Sequence, residues 1–518
     1  MTDLRTRPAA SSAEAPTAPR ILYALCGVLA ALAGIAVGHL VAAVTNAAVS
    51  PVLSVGSVVI DLTPTPVKEF VIARVGTADK PILLATVSLA TLALAALAGL
   101  LSRRHPAVGA GVLVLLVAAA GGAAMTRPTA RLLDLLPALA TAIVGVSALL
   151  GLHRLLEPAT AGLRGSGASR RTFLVGAAGI TAGAAVAGAL GQRLAERATD
   201  TSGLTLPAPA NPTAPLPAGV ESTVQGVSPF RTPTASFYRV DTNLTVPRVS
   251  VGSWSLEIDG DVRSPFTLTY DELLAMPMIE RDITLTCVST DVGGGYVGAA
   301  RWLGVRLTDV LDRAGVGTRS DQLLSTAVDG FTISTPLAVV RDGRDAMIAV
   351  GMNGEPLTDT HGFPARLVTP GLYGFVGATK WLTKLTLTTY AAQQSYWTQR
   401  QWATNAPIKT SARIDTPAPL STVPPGRTVI GGVAWAQHRG VGKVEVQIDG
   451  GAWQSAQLGP DAGIDYWRQW FVPWDATTGQ HTLAVRATDL TGALQTDQRA
   501  TPFPDGSSGI QQVVVIVS

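Results

Sequence analysis

Residues 282–305 read DITLTCVSTDVGGGYVGAARWLGV, and the fold and function of the chain depend on this stretch. Its first six residues alternate and predict a strand that ends at Cys287, and a run of three glycines, Gly293 to Gly295, follows. Cys287 is the only cysteine after Cys26. A single cysteine is most often a small buried apolar residue. In an oxidising compartment an unshielded thiol is readily oxidised. The more specific alternative to a buried apolar cysteine is therefore a thiolate that binds a soft transition metal.

The composition around this stretch differs between the two parts of the chain. Of the 518 residues, 47% are hydrophobic and 14% are charged, and the mean hydropathy is +0.32; soluble domains carry about 25% charged residues. Residues 1–201 have a net charge of +7 and the rest of the chain −4. A basic, apolar first part and a faintly acidic second part indicate a membrane anchor that carries a soluble domain. The second part has no basic surplus, which excludes a nucleic-acid partner.

Five apolar runs approach or exceed the roughly 20 residues that cross a bilayer as a helix. They are residues 21–44, 81–101, 107–124, 135–152 and 173–190, and the third and fifth are near the short limit and rich in glycine and alanine. A sixth run, residues 52–60, is too short to span and predicts an interfacial or packed segment. The alternative for the five long runs is a buried helical core in a soluble protein.

Arginines flank the apolar runs on one side of the predicted membrane. They are Arg5, Arg7, Arg20, Arg103, Arg104, Arg154, Arg164, Arg170 and Arg171. By the positive-inside rule these residues are cytoplasmic, and five crossings place everything after residue 190 on the extracytoplasmic side. The sequence therefore predicts a multi-pass domain, residues 1–198, in the cytoplasmic membrane of a bacterium.

The segment Ser169-Arg170-Arg171-Thr172-Phe173-Leu174, before the fifth run, is similar to a twin-arginine export signal. The alternative is that Arg170 and Arg171 are ordinary positive-inside charges. The distinction matters because the twin-arginine route carries folded proteins, and a domain that encloses a cofactor before export needs such a route.

The histidines of the first part do not predict a haem. An axial pair between membrane helices needs two histidines at matching depth. His39 lies near the outer end of the first run, whereas His105 and His153 lie at cytoplasmic ends.

The rest of the chain divides into three predicted parts. Residues 199–235 are rich in proline and predict an extended linker. Residues 236–404 mix short strands (253–258, 284–288, 384–389) with helices (270–275, 307–314), which predicts an α+β domain. Residues 405–518 show strands at 428–434, 442–448, 469–472, 482–489 and 510–517 between turns, and no convincing helix. This last pattern predicts an immunoglobulin-like β-sandwich.

Several blocks of the second part, in their order along the chain, resemble the molybdopterin domain of the sulfite oxidase family. They are FYR (237–239), TC (286–287), YVGAARWLGV (296–305), LTDVL (307–311), MNGEPL (352–357), HGFPARLV (361–368), PG (370–371) and KWL (380–382). Residues 432–435 and 444–446, and the turn at 449–451, resemble the family's dimerisation domain. The resemblance covers residues 236–518 and leaves out the membrane part.

The resemblance implies a molybdenum–molybdopterin cofactor and gives a role to each matched residue. Cys287 is implied as the thiolate ligand of the metal, and Arg239 as a catalytic group that polarises an oxygen at the metal. The residues implied to bind the pterin and its phosphate are Tyr238, Arg239, His361, Arg366, Gly377, Thr379 and Lys380. For each basic residue the alternative is a solvated surface charge. Trp302 and Trp381 are interpreted as core residues.

The chain departs from the family pattern on the substrate side. Val292 stands where the family has an arginine that holds the anionic substrate, the following segment is reduced to Gly293 to Gly295, and Phe331 replaces a tyrosine near the metal. A doubly charged oxyanion needs positive partners away from water, so sulfite is a doubtful substrate. Phe331 and the glycines are then expected to shape the pocket.

The resulting interpretation is an exported, membrane-anchored molybdenum oxidoreductase that transfers two electrons or an oxygen atom to or from a small molecule. An S- or N-oxide reductase or a relaxed sulfite oxidase would fit, and the electron partner is unknown. The C-terminal domain implies a homodimer. The alternative is a non-catalytic envelope-binding module that retains the fold.

Overall fold

The computed structural model describes residues 19–64, 67, 70, 71, 74, 75, 78–156, 166–197, 199 and 201–518. The described chain divides into two compact units, Met1–Arg197 with Asn243–Thr245, and Ala198–Thr242 with Val246–Ser518. Arg5, Arg7 and Arg164, used above to orient the membrane helices, lie outside the described residues, as does the side chain of Arg170.

The first unit consists of helices built from the predicted apolar runs. They are α1 (Arg20–Thr45), α2 (Pro51–Leu62), α3 (Asp79–Ser102), α4 (Pro106–Met125), α5 (Leu136–Leu156) and α6 (Ser166–Glu196). Among the described residues, five helices are long and apolar enough to cross a membrane, and each contains one predicted run. The short run 52–60 forms α2, which has 12 residues and packs against α3 and α4.

Glycines allow the helices of this unit to approach closely. A Cβ atom on Gly27 of α1 would collide with the carbonyl oxygen of Ala95 in α3, and one on Gly99 of α3 would collide with the backbone of Tyr23. Small residues at crossing points are the usual means of packing helices in an apolar solvent. Gly27 and Gly99 therefore serve close packing of α1 and α3.

The second unit begins with an α+β domain. Its strands are β1 (Ser255–Gly260), β2 (Phe266–Thr269), β3 (Met278–Thr286), β4 (Val297–Arg306), β5 (Gln322–Ala327), β6 (Thr332–Pro336), β7 (Met347–Met352), β8 (Glu355–Pro356), β9 (Arg366–Val368) and β10 (Leu382–Thr388). Its helices are α7 (Tyr270–Leu274), α8 (Leu307–Ala314), α9 (Leu337–Val340) and α10 (Gly374–Gly377). One sheet has the order β2-β1-β10-β5-β6, with only β1 and β10 parallel. The other has the order β3-β4-β7-β8, and β9 also pairs with β7.

The core of this domain lies between the two sheets. Leu256 of β1 and Leu385 of β10 share one buried cluster with Val305 of β4 and Ile348 of β7. Helix α8 contributes the four residues that its period places on one face, Leu307, Val310, Leu311 and Ala314. It ends at Gly315, whose φ of 70° suits glycine, so the helix has the predicted bounds.

The C-terminal part of the unit consists of two mainly antiparallel sheets. Its strands are β11 (Ser411–Thr416), β12 (Thr422–Val423), β13 (Gly426–Trp435), β14 (Val441–Ile448), β15 (Gln454–Ser455), β16 (Gln457–Leu458), β17 (Arg468–Ala476), β18 (Gly479–Asp489) and β19 (Gln511–Val517). The sheets have the orders β11-β13-β17-β16 and β12-β19-β18-β14-β15, and both contribute to one buried cluster that includes Trp470 and Val444. Each strand predicted here lies within or overlaps an observed one.

The proline-rich segment before the α+β domain does not behave as a free spacer. Asn211 bridges to Ile279 of β3, and Val220, Val224 and Val227 pack against the C-terminal sheets. Phe230 is 2% exposed. The apolar residues of the segment hold it against the rest of the second unit.

Candidate functional site

Cys287 directly follows β3, and its immediate surroundings are polar. Its side chain is buried, and its backbone N–H donates to the carbonyl oxygen of Tyr296 at 2.9 Å. Ser289 and the charge of Lys380 act to lower the pKa of the thiol, but burial has the larger effect and raises it. A purely apolar core residue would not have the hydroxyl of Ser289 and the charge of Lys380 in its surroundings.

Arg366 is a buried cation for which the described residues supply no anionic partner. Its side chain is 6% exposed, its guanidinium lies 5.0 Å from the Trp302 ring centroid, and it donates to the carbonyl oxygen of His361 at 3.2 Å. Its Nε atom has no hydrogen-bond partner, and no carboxylate of the described chain lies within ion-pair distance. Burial lowers the pKa of Arg366 to about 10, so the group stays charged at neutral pH.

His361 lies beside Arg366 and is held as a neutral ring. Its Nε2 atom is 3.0 Å from the carbonyl oxygen of Thr234 and therefore donates to it, which leaves Nδ1 as an acceptor. Burial first, and then the charges of Arg366 and Lys380, lower the pKa of His361 to about 4. The ring of Phe237 packs edge-on against the imidazole at 5.6 Å.

Lys380 and Arg239 share one buried carboxylate. Asp241 accepts from Lys380 Nζ at 2.8 Å and from Arg239 Nε at 2.7 Å, and its side chain is 5% exposed. Burial lowers the pKa of Lys380 to about 8, although Asp241 acts in the opposite direction. Arg239 is therefore directed by Asp241, a neighbour that the sequence analysis did not single out.

Tyr238 interacts electrostatically with both Cys287 and Arg366. Its ring stacks on Phe237 with centroids 5.1 Å apart. Its pKa is raised, first by burial and then by the charge of Cys287, while Arg366 acts in the opposite direction. The phenol consequently stays protonated at neutral pH. Charge interactions thus connect Cys287 to Tyr238 and Lys380, and connect Tyr238 to Arg366, so the structure brings these predicted site residues together.

Gly377 and Thr379 lie at α10 and the segment after it. A Cβ atom on Gly377 would lie 2.9 Å from that of Thr369, whose buried hydroxyl has no partner among the described residues. The Thr379 hydroxyl is 2.6 Å from that of Ser325. The backbone around Gly377 is therefore close-packed, and the Thr369 hydroxyl beside it has no hydrogen-bond partner among the described residues.

Phe331 has a different set of neighbours. Its ring contacts Tyr396 at 5.1 Å and Trp397 at 6.5 Å, in an aromatic group that continues to Trp402. The glycines expected to shape the pocket with it contact the C-terminal sheets, since the Gly294 carbonyl accepts from Arg413 at 3.0 Å. The catalytic role of Phe331 therefore stays a prediction without contacts to support it.

Three residues of the site were missed by the sequence analysis. Asp241 and Ser289 each lie two positions after a predicted site residue, but neither type is distinctive there. Asn353 lies in a matched block and fixes the entry segment, because its Nδ2 donates to the Thr232 carbonyl and to the Thr234 hydroxyl, both at 3.1 Å. Its φ of 56° belongs to the left-handed region, where asparagine is favoured among residues with a side chain.

The residues present fit a cofactor that brings its own negative charge. A buried guanidinium with an unsatisfied Nε needs an anion that the described chain does not supply. Lys380 adds a second nearby cation, and the neutral His361 offers an acceptor nitrogen. A pterin that carries a phosphate and ring N–H groups matches this set, with the Cys287 sulfur available to a soft metal.

Comparison with known proteins supports this class of site. Residues 243–397 match the family model "Oxidoreductase molybdopterin binding domain". Nitrate reductase [NADH] 1 of Oryza sativa subsp. japonica is 31% identical in an alignment of 194 positions that covers 32% of this chain and 21% of the relative. The mitochondrial sulfite oxidase of Drosophila melanogaster is 34% identical in an alignment of 194 positions that covers 33% of each chain. The chain thus spans a third or less of the length of these curated relatives.

The family-model match lies within the α+β domain, and the chain is similar to sulfite oxidase and nitrate reductase proteins. The resemblance inferred from the sequence blocks is thus confirmed. Among solved structures, the sulfane dehydrogenase SoxCD of Paracoccus pantotrophus aligns at 24% identity and a TM-score of 0.49, over 57% of this chain and 85% of that one.

Proposed function

We propose that the protein is a membrane-anchored, exported molybdenum oxidoreductase that transfers two electrons or an oxygen atom to or from a small molecule. The observation that carries the proposal is that one site holds a buried Cys287 and a buried Arg366 for which the described residues supply no anion. The family match over residues 243–397 adds the identity of the cofactor.

When bound, the cofactor supplies the two-electron redox chemistry, and the protein supplies ligation, orientation and polarity. Cys287 is the group that would hold the metal, and Arg366 and Lys380 would hold the anionic part of the pterin. His361, fixed by the Thr234 carbonyl, presents an acceptor to a ring N–H. Tyr238 remains protonated and can donate a hydrogen bond. Arg239, held by Asp241, places a positive charge at the entry segment.

The substrate is proposed to be small and weakly charged, such as an S- or N-oxide. The basis is the loss of positive charge around the cysteine loop, where Val292 and Gly293 to Gly295 carry none. Arg413 reaches this loop, but Asp415, 2.6 Å from its Nε, compensates its charge. Fewer positive charges surround this loop than in the family pattern, so sulfite would be bound less strongly. A relaxed sulfite oxidase is therefore the second candidate function.

The remaining assignments of the proposal concern the whole chain. The five apolar helices would anchor it in a bacterial cytoplasmic membrane, with the catalytic domain outside and Arg170-Arg171 as its export signal. The C-terminal sheets would form an immunoglobulin-like domain that pairs two copies, and a separate electron partner would complete turnover.

Elemental analysis tests the proposal. The full chain, purified from cells that make the cofactor, should contain about one molybdenum per chain, and Cys287→Ser should lose it. Cys26→Ser, a cysteine of α1, is the matched control and should keep the metal. A folded, metal-free wild type from those cells would overturn the proposal and favour the non-catalytic envelope module. Metal-loaded protein can then be screened with S-oxides, N-oxides and sulfite.

A further inference from the structure

Strand β3, which leads to Cys287, lies at the edge of its sheet and pairs with β4 alone. An edge strand exposes backbone N–H and C=O groups unless something covers them. The first half of β3 is covered by the proline-rich segment, because the Ala210 N–H donates to the Met278 carbonyl at 2.8 Å. The half nearer the cysteine is covered by the C-terminal domain. There the Thr284 N–H donates to the Asp465 carbonyl at 2.9 Å, and the Thr284 hydroxyl accepts from the Trp467 N–H at 2.8 Å.

Gln437 extends this contact to the residue directly before the cysteine. Its side chain is fully buried, and Nε2 donates to the Thr286 hydroxyl at 2.9 Å and toward the Thr284 carbonyl at 3.4 Å. Gln437 follows β13, whose inward residues belong to the buried clusters of the C-terminal domain. The hydrogen bond therefore ties the end of β3 to a rigid element.

The loop after Cys287 is held by the same domain at three further points. The Ser507 hydroxyl donates to the Thr290 carbonyl at 2.5 Å, and Arg413 donates to the Gly294 carbonyl at 3.0 Å. Gln511 packs so closely on Gly293 that a Cβ atom there would lie 2.5 Å from its Nε2. Gly293 has a φ of 81°, so both its conformation and its space require glycine.

We propose that the C-terminal domain is a working part of the metal site: it fixes the cysteine loop, with Gln437 as the positioning residue for Cys287. A loop with three successive glycines has a large conformational entropy to lose, and a metal ligand functions only when neighbouring groups hold it. The fixed points before and after Cys287 supply that order. The inference rests on the proposed function only in taking Cys287 as the metal ligand.

The first test uses the full chain made in cells that lack the cofactor. Gln437→Ala should raise two rates by on the order of fivefold relative to wild type. One is the rate of hydrogen exchange across residues 284–296, and the other is the rate of alkylation of Cys287, measured by peptide mass spectrometry. Gln447→Ala is the matched control, because Gln447 donates one hydrogen bond within the same domain, to the Gly451 carbonyl at 2.8 Å. It should leave both rates unchanged. Equal rates in the two variants would overturn the proposal.

A second variant covers the case in which Gln437→Ala fails to fold. Thr286→Val removes the hydroxyl partner while keeping the branched shape, and it should raise the same two rates. In the double variant the effects should be less than additive, since each change removes the same hydrogen bond. Additive effects, or no effect of Thr286→Val, would count against Gln437 as the positioning residue.

The third readout is spectroscopic and uses the metal-loaded chain. Gln437→Ala should alter the electron paramagnetic resonance signal of the half-reduced metal, whereas Gln447→Ala should leave it as in wild type. A purely structural role would lower thermal stability without changing the signal. If the wild type contains no molybdenum, the proposed function is wrong. The hydrogen-exchange and alkylation rates then test by themselves whether Gln437 orders the cysteine loop.

Discussion

Arg366 shows most directly how this domain is built to receive a charged ligand. A buried guanidinium normally has a carboxylate or a full set of carbonyl acceptors. Here the ring of Trp302 lies 5.0 Å away, the carbonyl contacts are 3.2 and 3.5 Å long, and Nε is unsatisfied. The metal-free protein therefore retains an unfavourable charge whose compensation arrives with the cofactor.

This reasoning predicts opposite effects of Arg366→Met on stability and on binding. Methionine keeps the apolar stem against Trp302 and removes the charge, so the metal-free chain should become more stable, by about 1–3 kcal/mol. Cofactor content should fall by on the order of tenfold or more, because the anion loses a buried cation. Thermal unfolding of metal-free protein and elemental analysis of loaded protein measure the two effects. A loss of both stability and metal would mean that Arg366 is a packing residue.

If Lys380 holds the anionic cofactor as proposed, binding should depend on pH. Its pKa in the folded, metal-free protein is about 8, against roughly 10.4 unfolded, and the charges acting on it are those of Asp241, Arg366 and Arg239. Below pH 8 the lysine is charged and attracts the phosphate, and above it the complex must take up a proton. Affinity should fall by at most about tenfold per pH unit between pH 8 and 10.

The stability of the metal-free chain should respond in the other direction. Between about pH 8 and 10.4 the unfolded chain binds more protons at this lysine than the folded chain, so the contribution of Lys380 to stability rises with pH. Pterin retention after dialysis at pH 7 and pH 9 measures the binding effect. Lys380→Arg should remove the pH dependence, and Lys384→Arg, paired with Asp259 at 2.6 Å, should not. A dependence that survives Lys380→Arg would assign it to another group.

Among the elements, α10 and the segment before it are closely packed around Gly377, where the pterin phosphate is predicted to bind. Gly377→Ala places a methyl group 2.9 Å from the Thr369 Cβ and 3.3 Å from that of Leu372, and overpacking of this kind costs about 1–3 kcal/mol. We expect lower stability and a larger loss of cofactor, because α10 must shift. Gly203→Ala, outside the site and with open space around the added methyl, should change neither. Thermal unfolding and metal content, measured for both variants, test this prediction.

The sequence predicted those elements whose signal is local. Helix α8 has its predicted bounds because its apolar period and Gly315 both lie within ten residues. The partners of β3 could not be predicted in this way, because Thr284 bonds to Asp465 and Trp467, which are some 180 positions away. The same holds within the site. Arg366 and His361 lie in one block and were found together, whereas the bridge from Asp241 to Lys380 spans 139 positions.

For the whole molecule, the proposed export requires that a domain with a bound cofactor cross the membrane. The five long helices follow from length and composition, but neither property orients them. Two readings of Arg170 and Arg171 remain, an export signal and a pair of cytoplasmic charges. They differ physically, because a lysine satisfies the charge rule as well as an arginine, whereas a receptor-read signal depends on the guanidinium groups.

Replacing both arginines by lysine separates these readings without changing the net charge. Arg170→Lys with Arg171→Lys should leave the C-terminal domain protected from protease added to intact cells, because the folded domain is no longer exported. Arg103→Lys with Arg104→Lys, a second flanking pair, is the matched control and should leave the domain accessible. Accessibility in both double variants would show that Arg170 and Arg171 act only as positive-inside charges, and the domain would then have to cross the membrane unfolded and acquire its cofactor outside.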